Sequence, residues 1–259
     1  MAIIDTHCHL NADTFSHRWQ QILNDAQTVG VDHAMVVGWD ETSSLRATAL
    51  ATLDPRLHAV IGLHPVDVQP TSSLDWITTL YQQHPSRILA IGEIGLDFYW
   101  KKDPEEHQRQ AQSFIAQIHL ANKLHLPVVI HCRDAYEAIL PILERHPVHQ
   151  GGIMHCYAGP SQLVPRFISL GFYLSFGGPI TFKNAHDARA SLLATPLNRI
   201  LVETDSPYLA PHPFRGKENS PIHLPIIVDK IQETLNISKE LLTTTLYQNT
   251  LQVFHVKTL

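Results

Sequence analysis

The chain is poor in cysteine, in positive charge and in long apolar runs, and each shortage removes a class of protein. Three cysteines, Cys8, Cys132 and Cys156, stand in 259 residues. An odd, small number is no disulfide framework and points to a reducing, cytoplasmic setting. Lys and Arg number 19 against 24 Asp and Glu, a net charge of −5 with histidine neutral. That argues against a broad basic surface for nucleic acid, because such binding neutralises phosphates with Lys and Arg. No stretch approaches the roughly eighteen uninterrupted apolar residues of a membrane helix. The N-terminal apolar run stops at Asp5 with no basic segment before it, so no targeting leader is expected. Linkers, repeats and charge runs that would mark a second domain are missing too, and residues 1–259 are expected to form a single domain. What the chain has in excess is histidine: 18, almost as many as Lys and Arg together. Histidine is the commonest metal ligand, so the excess leans toward metal chemistry.

Short β-branched runs at residues 2–6, 34–37, 57–63, 88–91, 127–130, 152–154, 172–176 and 200–202 each precede a segment of helical period. Two further helical segments, 221–235 and 238–255, close the chain. This alternation predicts an α/β fold, a single (β/α)₈ TIM-type barrel of parallel strands, with an open doubly wound sheet as the rival.

Chemistry-bearing residues gather at one end of these runs. His7 and His9 follow the first, His64 the third, Glu93 the fourth, His131 the fifth, His155 the sixth and Asp205 the eighth. The C-terminal strand ends are the active face of barrel enzymes. His7 and His9, two apart, share one face of an extended chain while Cys8 points the other way. The same parity turns Cys132 and Cys156, each beside a histidine, toward the helices as small packing residues. In a closed barrel strand eight lies beside strand one, which brings Asp205 to His7 and His9. Four of these histidines, His7, His9, His131 and His155, with two carboxylates on one rim would cost desolvation and repulsion without a cation, so metal binding is expected. Imidazole with carboxylate suits Zn²⁺ or Mn²⁺. Two divalent ions set against Glu93, Asp205 and one hydroxide leave the site near plus one, which favours an anion such as a phosphodiester.

Residues 98–102 interleave aromatic and basic side chains as single-strand binders do, with Tyr99 and Lys101 as expected substrate contacts. Residues 213–217 add Arg215. Arg133, on the same side as His131, is either a planar phosphate fork or an ion-pair partner of Asp134 or Glu93. Glu203, one layer beneath Asp205, suits the orientation of a ligand histidine.

The segments Asp5-Thr6-His7-Cys8-His9-Leu10, Gly62-Leu63-His64-Pro65, Gly92-Glu93-Ile94-Gly95-Leu96-Asp97 and Val129-Ile130-His131-Cys132-Arg133 resemble motifs of TatD-type deoxyribonucleases. So do Met154-His155-Cys156, Thr181-Phe182-Lys183-Asn184-Ala185, Glu203-Thr204-Asp205-Ser206-Pro207-Tyr208-Leu209-Ala210-Pro211 and Arg215-Gly216-Lys217, in the family's order. The resemblance implies a hydrolase with two divalent ions, Mg²⁺ or Mn²⁺, that cleaves DNA through metal-activated hydroxide, exonuclease-like and with single strands favoured. By motif position His7, His9 and Asp205 would hold one ion, His131 and His155 the other, and Glu93 would bridge them. Asp205 would also orient the attacking water and accept its proton, and His64 would bind or protonate the leaving oxygen. Glu93 stands where the wider amidohydrolases carry a modified lysine, which favours the TatD branch. Val66 replaces a second histidine common after the His-Pro, and Tyr157-Ala158 the usual Phe-Ser; both lie off the ligand set and bear on substrate preference. The same resemblance admits hydrolysis of a carboxyl ester or amide, by a small-molecule amidohydrolase or a D-aminoacyl-tRNA deacylase. A non-catalytic, metal-stabilised binding scaffold is the remaining alternative, against which six intact ligands speak. Neither a membrane nor an obligate protein partner is expected.

Overall fold

The computed structural model describes residues 2–259. Its centre is one eight-stranded parallel sheet in chain order: β1 (Ile3–Cys8), β2 (Val31–Val37), β3 (Leu57–Ile61), β4 (Ile88–Asp97), β5 (Val128–Arg133), β6 (Gly152–Met154), β7 (Phe172–Phe176) and β8 (Ile200–Val202). Around it run α1 (Trp19–Thr28), α2 (Glu41–Leu53), α3 (Asp75–Gln83), α4 (Pro104–Leu124), α5 (Tyr136–Arg145), α6 (Val164–Ser169), α7 (His186–Ala194), α8 (Leu224–Leu235) and α9 (Lys239–Val253). The expected TIM-type barrel is therefore present. No helix among the described residues is long and apolar enough to cross a membrane.

The last seam, between β8 and β1, closes without a regular ladder. Thr6 Oγ1 donates to Val202 O at 3.0 Å. Just above it, the Asp205 N–H donates to His7 O at 2.9 Å and the His9 N–H to Ser206 O at 2.7 Å. Buried Asp5 adds a side-chain tie, accepting from the backbone N–H groups of His7 and Thr204 and from the Thr204 hydroxyl. Burial pushes its carboxyl up to about 7 despite those bonds.

Strand alternation sorts the apolar residues into two shells. Val31, Ala34, Val36, Leu57, Ala59, Ile61, Ile130 and Leu174 face the helices in the larger core. Ile4, Met35, Val37, Val60, Val129, Ile153, Tyr173 and Leu201 fill the barrel, plugged from below by Val253 and Phe254 at the end of α9. Cys8 sits fully buried in the outer core and Cys132 packs against it, as strand parity predicts; all three cysteines are free.

Three strands run further at their C-terminal ends than the apolar pattern predicts, and β2 starts earlier, at Val31. β1 continues through His7 and Cys8, β4 through Glu93 to Asp97, and β5 through His131 to Arg133. Inward polar residues ended the apolar runs while the backbone ladder went on. Register shifts interrupt β1 between Asp5 and Cys8 and β4 between Ile91 and Ile94. Such bulges re-aim side chains beside active sites, and here they flank His7 and Glu93. Gly95 has φ +141°, and a Cβ there would meet the His131 carbonyl oxygen at 2.0 Å. Glycine thus lets β4 lie close against the strand that carries His131.

Low in the barrel, His58 is 8% exposed and neither ring nitrogen has a partner among the described residues. Burial, then neighbouring His33 and Arg87, drives its pKa down to about 4. Because the folded value lies below the unfolded one near 6.5, the unfolded chain binds more protons between those values. Stability from this group is complete above pH 6.5 and falls as pH drops toward 4, by about 3 kcal/mol. The expected outcome is that His58→Leu loses less stability than the parent between pH 7 and pH 4.5, as measured by urea unfolding.

Candidate active site

At the C-terminal mouth, side chains from six strands or their following loops meet around Glu93. Its Oε1 lies 2.8 Å from His131 Nδ1, 3.3 Å from His155 Nε2 and 3.6 Å from His64 Nε2. Its Oε2 lies 3.4 Å from His7 Nε2. On the other side, Asp205 Oδ1 is 3.4 Å from His9 Nε2 and 3.8 Å from His7 Nε2. Asp205 takes a left-handed backbone, φ +57°, a conformation Asp tolerates better than most residues. The donors form three overlapping groups with atoms within 4.8 Å of one another: His7, Glu93 and His155; His7, His9 and Asp205; His64, Glu93 and His131. The structure thus draws together all six residues expected as ligands and adds His64. His155 groups with His7 and Glu93, and His131 with His64 and Glu93; the His131 and His155 rings stack with centroids 6.1 Å apart.

The outer nitrogens of these rings decide which inner ones are free for a cation. His9 Nδ1 donates to Val37 O at 2.9 Å. His155 Nδ1 donates to Glu203 Oε1 at 2.9 Å, and the same oxygen accepts from the Cys156 N–H at 2.6 Å. His131 Nε2 lies 2.9 Å from Asp97 Oδ2, which leaves Nδ1 facing Glu93. An acceptor behind each of these three rings fixes its orientation, so that a cation displacing the inner proton would meet a lone pair, the arrangement metal-ligating histidines require; His7 Nδ1 has no such partner among the described residues. His64 differs. Its Nδ1 accepts from the Val66 N–H at 3.3 Å, so its proton sits on Nε2 and faces Glu93 as a donor. Three imidazoles so held, together with two carboxylates, fit a divalent cation of borderline softness.

Titration follows the packing. Burial would raise the Glu93 carboxyl, but the surrounding histidines hold it well below the usual carboxylate range. Asp205 behaves alike: burial is outweighed by its hydrogen bond with His9 and the nearby His155 and His7. Burial drives the His64 pKa down to about 3, with His131 adding to the shift, so the ring is neutral. His155 is the reverse; burial is overcome by Glu203 and Glu93, which hold it up to about 10.

Two partners of this centre change the charge count made from sequence. Glu203 touches His155 as expected of an orienting residue. Asp97, quoted only as part of a motif, holds His131; its signal was parity, four residues past Glu93 and on the same strand face. With both counted, four carboxylates and the hydroxide set against two divalent ions leave the site near minus one. The expected surplus near plus one is absent, and affinity for a phosphate must come from other cations. The expected outcome for Glu203→Gln is a metal affinity lower by roughly 10–100-fold, because a neutral amide makes His155 a poorer donor; a chelator-competition titration reads it.

The rim residues fall as follows. Arg133 pairs with neither Asp134 nor Glu93 among the described residues; its guanidinium carbon lies over the Tyr99 ring, 3.8 Å from the centroid. Lys101 is engaged with Glu106 at 3.1 Å. Arg215 lies over the Phe182 ring at 4.5 Å. Trp39 and Tyr208, which the motifs did not single out as contacts, stand edge-on to His9 with centroids 5.3 and 5.9 Å away.

Comparison with known proteins places this architecture in context. A family model described as TatD-related DNase matches residues 4–255. The uncharacterized metal-dependent hydrolase YabD of Bacillus subtilis is 37% identical over 257 residues, covering 98% of this chain and 99% of its own. The crystal structure of YjjV, a TatD homologue from Escherichia coli, superposes with a TM-score of 0.92 at 30% identity, covering 98% of each chain. An uncharacterized amidohydrolase from Saccharomyces cerevisiae shares the fold at TM-score 0.84 and 18% identity, covering 98% of this chain and 99% of that one.

Proposed function

Because the chain belongs to the TatD-related DNase family and is a metal-dependent hydrolase, we propose that it cleaves phosphodiester bonds in DNA, taking single strands or strand ends, with two divalent ions at the barrel mouth. The observation that carries this reading is the cluster of His7, His9, Glu93, His131, His155 and Asp205 at the C-terminal end of the barrel. His7, His9 and Asp205 would hold one ion and His155, His131 and Glu93 the other, with His7 and Glu93 near both. Bound there, divalent ions supply Lewis acidity toward the phosphoryl oxygens and a nucleophile at neutral pH. The histidine-rich donor set suits Mn²⁺ or Zn²⁺, and Mg²⁺ remains in the set by family.

The chain's own groups do the rest. Asp205 is ionised and keeps an oxygen beside His9, where it orients the attacking water and takes its proton. His64 presents Nε2–H to the leaving oxygen as a neutral hydrogen-bond donor rather than as an imidazolium acid, because its Nδ1 is committed to Val66. Glu203 and Asp97 hold His155 and His131 in register through the reaction.

The test is release of label from end-labelled single-stranded DNA after chelation and add-back of Mg²⁺, Mn²⁺ or Zn²⁺, alongside bis-p-nitrophenyl phosphate and p-nitrophenyl acetate. Metal-dependent digestion is expected. Turnover of the acetate alone, from protein loaded with metal, would transfer the reading to a carboxyl ester or amide.

A further inference from the structure

The metal centre carries no surplus positive charge, so the cations that meet phosphate must stand outside it. Two arginines at the mouth are placed for this. Arg133 ends β5, and its guanidinium carbon lies over the Tyr99 ring, 3.8 Å from the centroid, with Trp100 at 5.5 Å. Arg215, in the loop after β8, lies over Phe182 from the loop after β7. Neither has a carboxylate partner among the described residues, and unlike Arg199, which also lies over a ring, that of Tyr173, both stand at or beyond a C-terminal strand end. A guanidinium held against a ring face by cation–π attraction still has N–H groups to offer a phosphate.

Each arginine–aromatic pair is built from two neighbouring loops tied together. On one side the Phe98 N–H donates to Arg133 O at 2.9 Å. There Asp97 Oδ1 accepts the N–H groups of Tyr99 and Trp100, while its other oxygen holds His131. On the other side the His212 N–H donates to Thr181 Oγ1 at 2.8 Å, and Arg189 binds the carbonyls of Ile180, Phe182 and Lys183. In a ring of eight strands β4 and β8 lie opposite one another, so the loop of Tyr99 and Trp100 and the loop of Arg215 rise from opposite sides of the mouth. Tyr99 and Trp100 are 42% and 66% exposed, leaving ring surface open for a base.

We propose that these are two opposed clamps, Arg133 with Tyr99 and Trp100, and Arg215 with Phe182, which hold one strand of nucleic acid across the metal centre, with phosphates on the arginines and an unpaired base on Trp100. The proposal rests on the phosphodiesterase reading and deepens it. A single strand is the occupant because an open aromatic face accepts only an unstacked base, and a net charge of −5 does not support a duplex footprint. Nucleotides then lie on both sides of the scissile phosphate, so the enzyme prefers a strand long enough to reach both clamps.

Two readouts separate the clamps from the chemistry. The first is kcat/KM of the metal-loaded enzyme on oligothymidylates of two to twelve nucleotides and on bis-p-nitrophenyl phosphate. The second is binding of a fluorescent, cleavage-resistant phosphorothioate twelve-mer, followed by anisotropy against salt. Trp100→Ala, Arg133→Gln and Arg215→Gln are each expected to lower the ratio of twelve-mer to bis-p-nitrophenyl phosphate kcat/KM about tenfold, chiefly through KM. Each arginine variant should flatten the slope of log K against log salt by about 0.7, one phosphate contact on a single strand, while Trp100→Ala weakens binding without changing the slope. The exposed Leu53→Ala, far from the mouth, serves as control. Turnover with parental ratios and slopes in all three variants would overturn the clamps and leave the phosphodiesterase reading standing. Absence of turnover on every phosphodiester would overturn that reading, and the binding data would still decide the clamps: twelve-mer affinity lost in the variants supports them, and no affinity in the parent ends them.

Discussion

Glu93→Gln is expected to remove hydrolysis, by about 10³-fold or more in kcat, together with tight metal binding. No other side chain touches so much of the centre. One oxygen of Glu93 lies within 3.6 Å of His131, His155 and His64, and the other lies 3.4 Å from His7. It belongs to two of the three donor groups. Glutamine keeps the shape but withdraws the negative charge and turns an N–H₂ toward imidazole lone pairs that should face a cation. The fold is expected to survive, since the barrel is filled by Val37, Val60, Val129, Ile153 and Leu201 beneath this layer. Metal content after dialysis, turnover and a thermal melt together check it. A variant that keeps its metals and more than a tenth of parental turnover would contradict a ligand role for Glu93.

Asp205→Asn is expected to lower kcat by 10²–10⁴-fold, the range for loss of a general base. Its backbone ties stay in place: the Asp205 N–H still reaches His7 O and the chain keeps its left-handed turn. What changes is the oxygen 3.4 Å from His9, which no longer accepts a proton. The two roles of this carboxylate separate under excess metal. If Asp205 serves as a ligand alone, saturating metal restores turnover in the variant. If it also takes the proton from water, occupancy recovers and kcat does not; this second outcome is expected, and single-turnover kinetics at several metal concentrations read it.

The barrel and the roster of its mouth were legible in the chain itself. Eight β-branched runs alternating with helical segments leave few architectures, and side-chain parity is a local property that needs no partner to be known. Hence His7 and His9 could be placed together, Cys8 turned outward, and Asp205 assigned to the same end as His7 from closure alone. Boundaries were less legible, because an inward Glu93 or His131 interrupts an apolar pattern without interrupting the ladder. Pairings across the barrel were settled by tertiary structure. Which histidines share donors with Glu93 depends on the register shifts in β1 and β4, and a bulge moves a side chain by a fraction of a strand repeat that composition does not encode. Glu203 meets His155 from 48 residues away, and Asp97 meets His131 from 34. Their two charges change the formal count from near plus one to near minus one. Arg133, free by sequence to pair with Asp134 or Glu93, found the Tyr99 ring instead. A strand carries its own two-residue period, but distances between strands belong to the closed sheet, and the electrostatics of this centre are set by those distances.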